Sequence, residues 1–256
     1  MIQLTPAEQL LQSLGITAPQ DIDIEAIAFD RGAVIKYRSL SGCEARIVGV
    51  GDRAVISVSD NVIPARQRFS AAHELGHWHH HRGRSFSCRK EDIGNYQEGS
   101  SNPERVADTY AADLLMPRYL FQPLANKAGS VTFEVIDALQ AEFKTSITAT
   151  ARRLIDFGAE PAILICHGKM GRRWFKRATS VPARWFPQAE LDAESYAMDV
   201  LYKPTVKRTR KVVIGADAWF DRSGADRYEI YEQTHKISED EILTFVTFKD
   251  DEMLDD

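Results

Sequence analysis

The chain has 256 residues, 44% of them hydrophobic and 27% charged, with a formal net charge of −5. Those proportions are those of an ordinary globular protein of one large or two modest domains, and the acidic balance gives no footprint for direct nucleic-acid binding. Three widely spaced cysteines (Cys43, Cys88 and Cys166) exclude a disulfide framework and fit a reducing compartment. The opening MIQLTPAEQL has neither the basic start nor the apolar core of a signal peptide. No stretch approaches the roughly 18 apolar residues of a membrane span, so a cytoplasmic protein without membrane contact is expected.

In chain order, TPAEQLLQSL at 5–14 predicts a short amphipathic helix capped by Thr5, opened by Pro6 and stopped by Gly15, with a second short helix at 21–30. Three strand-like runs follow: AVIKYR at 33–38, EARIVGV at 44–50 and RAVISVS at 53–58. Gly42 and the Gly51-Asp52 pair punctuate them, which predicts an antiparallel β-meander. From Arg66 the pattern becomes helical, with one helix over 66–81 and another over 102–116. Asn102 as cap and Pro103 at the first helical position mark the start of the latter. Two or three further helices are predicted between Arg118 and Phe157, and Gly158 and Pro161 end the block. Beyond it PAILICH at 161–167 reads as an apolar strand and GRRWFKRAT at 171–179 as its hairpin partner. VVIGADAWF, RYEIYEQTH and ILTFVTF supply further β segments. The change of texture predicts a boundary near residue 159, dividing the chain into 1–158 and a β-rich 159–256.

The chemistry is concentrated in FSAAHELGHWHHHRG, which starts at Phe69 and contains five of the seven histidines. His73-Glu74-Leu75-Gly76-His77 is an H-E-x-x-H sequence. On a helix, residues four apart share a face, so both imidazoles can reach one ion, with Glu74 beside them to act on water. A catalytic zinc takes three protein ligands and keeps one position open. In the second helix, Glu104 and Asp108 stand at i and i+4. Glu104 completes a His, His, Glu set, and Asp108 is placed to accept the other ring N–H of a ligating histidine. Ala107, Ala111, Ala112, Leu114 and Leu115 mark that helix as packed rather than solvated. The competing reading is a wet histidine-rich helix with two ordinary surface acids.

FSAAHELGHW followed by E-x-x-A-D-x-Y-A-A-x-L-L-M-P resembles the ImmA/IrrE family of metallopeptidases over about residues 5–158, and its E-x-x-x-D element is similar to that of thermolysin-like gluzincins. The resemblance implies zinc on His73, His77 and Glu104 with Glu74 catalytic. The fold it implies is α+β: an antiparallel β-meander with a helical zincin-like metallopeptidase domain, then a β-rich C-terminal domain for sensing or substrate docking. It also implies a protein substrate, typically a helix-turn-helix transcriptional repressor of a stress regulon or mobile element, whose cleavage relieves repression. Two features depart from relatives: no helix-turn-helix segment precedes the catalytic part, and no known ligand accompanies the region after 159.

Several residues invite rival readings. His81 lies four residues past His77 and offers another ligand set. Cys88, between the two metal helices, offers either a thiolate for the open position or an ordinary loop residue. Tyr110, Tyr96 and His79 to His81 are candidate oxyanion donors among which the sequence does not choose. His167 and His235 read as structural. The adjacent pairs Trp174-Phe175, Trp185-Phe186 and Trp219-Phe220, which in strands would split between faces, read mainly as core, with a binding surface as the minority option. The basic run Lys207, Arg208, Arg210 and Lys211 reads as a solvated loop. A functional alternative is an antitoxin-like or regulatory binding protein with a structural or vestigial zinc, which an intact Glu74 disfavours. A broad-specificity peptidase ranks last, because ungated proteolysis in a cytoplasm is toxic.

Overall fold

Thr5 accepts the Glu8 amide at 3.4 Å while the Glu8 carboxylate accepts the Thr5 amide at 3.0 Å. This capping box starts α1 (Pro6–Ser13) in a computed structural model that describes residues 3–82, 86–88 and 103–255. The other oxygen of Glu8 accepts the Arg118 amide at 2.6 Å, so a buried acid ties the first helix to a later one. Asp23 caps α2 (Ile24–Asp30), again through a side-chain oxygen on the amide three residues on.

Three strands follow where the alternation places them: β1 (Ala33–Arg38), β2 (Ala45–Val50) and β3 (Arg53–Ser59). They do not form the expected meander. β2 and β3 pair antiparallel, but β1 pairs parallel to β3, and the sheet runs β1-β3-β2-β4, with β4 (Phe86–Cys88) antiparallel to β2. The reason is burial: β3 carries Ile56 and Val58 at 0% exposure, whereas Val34 and Tyr37 of β1 stay exposed. The most apolar strand takes the centre and is paired on both sides, and the chain from β1 to β2 must pass over it.

The helices are α3 (Pro64–His80), α4 (Pro103–Leu115), α5 (Arg118–Ala128), α6 (Phe133–Phe143), α7 (Ile147–Phe157) and, after two more strands, α8 (Ala197–Tyr202). The predicted cap Asn102 lies outside the described residues. The four-stranded sheet and helices α1 to α4 share a core that includes Leu11, Ile24, Ile47, Ile56, Leu75, Trp78 and Leu114. Trp78 donates its indole N–H to the Arg31 carbonyl at 2.9 Å, and its ring fills the space a Cβ on Gly49 would need. The β2 glycine is therefore a packing requirement.

The remaining strands, β5 (Ala162–Gly168), β6 (Gly171–Arg177), β7 (Val212–Gly215), β8 (Glu229–Lys236) and β9 (Glu241–Phe248), form an antiparallel sheet in the order β6-β5-β9-β8-β7. The expected β5–β6 hairpin is present. β5 and β9 are buried nearly end to end, as central strands covered on both faces are. The class is α+β throughout.

The chain separates into two compact units, residues 1–121 with 141–146, and residues 122–140 with 147–256. This differs from a division near 159. α7 buries Ala151, Leu154 and Ile155, Arg152 lies 3.8 Å over the Trp174 ring of β6, and Asp156 bridges Lys176 at 2.8 Å. Phe133 of α6 meets the ring of Phe245 in β9 at 4.8 Å. The switch from helical to strand pattern marks a helix giving way to the sheet it covers, which composition alone does not distinguish from a domain edge.

The aromatic pairs are core in large part, though two of them lie outside strands. Trp219 and Phe220 follow a 3-10 turn and are both buried, while Trp185 is buried and Phe186 exposed outside any strand. The basic run is partly paired: Arg208 grips Asp137 at 2.6 and 3.0 Å, and Lys211 meets Glu160 at 2.9 Å. No helix among the described residues is long and apolar enough to cross a membrane.

Candidate metal centre

α3 is buried where the chemistry sits: His73, Glu74 and His77 each have 0% exposure. The helix begins at Pro64, two residues before the predicted start, because Pro at the first helical position extends it. α4 lies against it at close range. A Cβ on Gly76 would come within 3.0 Å of the Ala107 Cα and 3.2 Å of the Tyr110 Cβ. The small residue inside H-E-x-x-H thus lets the second helix approach.

That approach brings the predicted residues together. His73 Nδ1 lies 2.8 Å from Asp108 Oδ1, and its Nε2 is 3.0 Å from both Glu104 Oε2 and His77 Nε2. His77 Nε2 is 3.3 Å from the same Glu104 oxygen. With Asp108 on Nδ1, His73 presents its Nε2 to the cluster. A fourth donor joins them: Cys88 Sγ is 3.5 Å from His77 Nε2. His73, His77, Cys88 and Glu104 present ligand atoms within 4.8 Å of one another and could hold a metal ion. Tetrahedral zinc with bonds near 2.1 Å places nitrogen and oxygen donors about 3.4 Å apart. The donor set and spacing fit such an ion.

Burial works against a proton on His73, but hydrogen bonds to Asp108 and Glu104 outweigh it and hold the imidazole up, at about 9. Glu104 is opposed by its own burial, yet the two histidines hold its carboxyl well below the ordinary range. His77 is lowered by burial. Burial pushes Glu74 up to about 7, against the pull of His73 and of the Cys88 thiol that interacts with its carboxylate. A buried carboxylate with a raised pKa beside a cluster of possible metal ligands is placed to take up a proton.

The alternatives are sorted by the same geometry. The His81 ring lies 6.0 Å from that of His77, and His81 is outside the donor cluster. Tyr110 stacks on His79 at 5.0 Å and meets His80 edge-on at 5.7 Å. Tyr96 lies outside the described residues. His167 is buried beside Trp219, and His235 accepts from Arg208 at 3.1 Å.

Sequence reasoning missed the supports. Cys88 is not in a loop: it ends β4, which is only three residues long and therefore leaves no periodic signal. Glu44 is 6% exposed, pairs with Arg66, accepts from Ser70 at 3.3 Å and donates its amide to the Cys88 carbonyl at 3.1 Å. It fastens α3 to the strand carrying the cysteine. No local pattern distinguishes such an acid from a surface one.

A histidine pair and a glutamate from two packed helices, beside a mixed sheet, define a metallopeptidase-like protein. The model of the IrrE N-terminal-like peptidase domain matches residues 24–155, and the chain belongs to that family. A Mycobacterium tuberculosis transcriptional regulator shares the fold at a TM-score of 0.60, with 15% identity over 94% of this chain and 74% of that one. No curated protein matches.

Proposed function

We propose that the protein is a zinc-dependent, site-specific endopeptidase that cuts a helix-turn-helix transcriptional repressor in the cytoplasm, relieving repression in a stress response or on a mobile element. His73, His77 and Glu104 hold the metal in this reading, and Asp108 fixes the tautomer and orientation of His73. Bound there, zinc supplies Lewis acidity at the scissile carbonyl and makes water easier to deprotonate. Glu74 accepts the proton of the attacking water and delivers it to the departing amine. The observation that carries the reading is Glu74 itself, buried and raised to about 7 beside the donor cluster. Family membership supports peptidase chemistry, and the repressor comes from the resemblance to ImmA/IrrE proteins.

One observation favours a second reading, a regulatory binding protein with a structural metal: four donors including Cys88 make a closed set, as structural zinc sites do. Incubation of the zinc-loaded protein with the repressor encoded beside its gene separates the two. A single cut, mapped by mass spectrometry, is expected. Glu74→Gln should keep its metal and cut about 10²-fold more slowly or worse. Glu74→Gln cutting at the wild-type rate would remove the mechanism.

A further inference from the structure

Resting on His73, His77 and Glu104 as metal ligands, we propose that Cys88 is the fourth ligand and an internal latch. Its thiolate fills the coordination position that a peptidase must leave open, so the folded protein is held latent.

The distance is that of a ligand. Sulfur and nitrogen on adjacent corners of a tetrahedral zinc site stand roughly 3.5 Å apart, from bonds near 2.3 and 2.1 Å. Cys88 Sγ is 3.5 Å from His77 Nε2. The side chain is 1% exposed, and its strand is anchored: Cys88 pairs with Ala45, and its carbonyl accepts the amide of Glu44, which is itself paired with Arg66 of α3. The sulfur is therefore held at the cluster by the sheet edge. The other two cysteines, Cys43 and Cys166, lie outside the donor set.

The surroundings of the sulfur agree with its place in the cluster. The Cys88 thiol faces the Glu74 and Glu104 carboxylates and interacts with both. The thiol stands where the base and the ligand carboxylate meet. Coordination releases the thiol proton to solvent. Opening reverses this: a water or peptide carbonyl oxygen takes the fourth place and the thiolate regains a proton, with no oxidant or reductant required.

Cobalt loading of the full-length protein tests the ligand. Wild type should show visible ligand-field bands together with a near-ultraviolet sulfur-to-cobalt charge-transfer band. Cys88→Ser should keep the visible bands, which also report a folded site, and lose the charge-transfer band. Visible bands without charge transfer in wild type would overturn the cysteine ligand and leave the three-residue site standing. No visible bands in either protein would remove the metal site and the latch with it. Cleavage then tests latency: at equal zinc content Cys88→Ser should cut about tenfold faster or more, as expected if the latch leaves a tenth of molecules competent. Equal or slower cutting would overturn the latch.

Discussion

Both units bury polar side chains, but they arrange them differently. Around the five-stranded sheet the buried polar contacts are dispersed: Glu232 accepts from Ser195 and from Trp219, both at 2.8 Å, and elsewhere Thr234 meets Thr244 at 2.8 Å. Beside the four-stranded sheet, His73, His77, Glu104 and Cys88 converge on one point, and two of them share a single Glu104 oxygen. His167 is as buried as His73, yet it packs on Trp219 within no donor cluster. Convergence of lone pairs, not burial of histidine, marks a metal centre.

The sharpest way to break that contrast is to remove the convergence. The double variant His73→Ala, His77→Ala should lose nearly all bound zinc, while wild type holds about one ion per chain. Elemental analysis checks this, and equal metal in both proteins would dissolve the distinction. In wild type, zinc at a hundredfold excess over its Kd should stabilise the first unit by about 2.7 kcal/mol. Hydrogen exchange should show the added protection in α3, β4 and α4 and leave β5 to β9 unchanged.

Asp108→Asn tests how far the convergence depends on its support. Loss of the carboxylate at His73 Nδ1 should weaken zinc binding about 10–100-fold without unfolding the protein, as read by competition with a chelating dye. A smaller effect is expected from Gly76→Ala. Overpacking against Ala107 and Tyr110 costs about 1–3 kcal/mol, offset by the ~1 kcal/mol that alanine contributes to a helix interior. A drop in melting temperature with weaker zinc binding is the expected outcome, and an unchanged affinity would mean the helices need not be so close.

The smallest effect belongs to the sheet unit. Burial raises the Glu232 pKa despite its hydrogen bonds from Trp219 and Ser195. A carboxyl raised on folding binds more protons in the native state, so its contribution falls as pH climbs from its ordinary value through the raised one. Thermal melts should therefore lose stability as pH rises above the ordinary carboxylate range, and Glu232→Gln should flatten that slope. An equal slope in both proteins would place the pH dependence elsewhere.

The sequence by itself determined the helices and most strands, because turn residues and hydrophobic periodicity act locally. It also named the histidines, Glu104 and Asp108, because four-residue spacing on a helix is a tertiary distance written in the chain. The four-residue logic ends at the helix. That β1 runs parallel to β3 depends on which strand is buried most, a competition among segments. That α7 covers the following sheet depends on where its apolar face docks. That Cys88 stands at the donor cluster depends on a three-residue strand pinned by Glu44, and that Gly76 admits the second helix depends on what lies opposite it. Each is a contact between residues whose separation along the chain carries no period, so only the packed structure decides it.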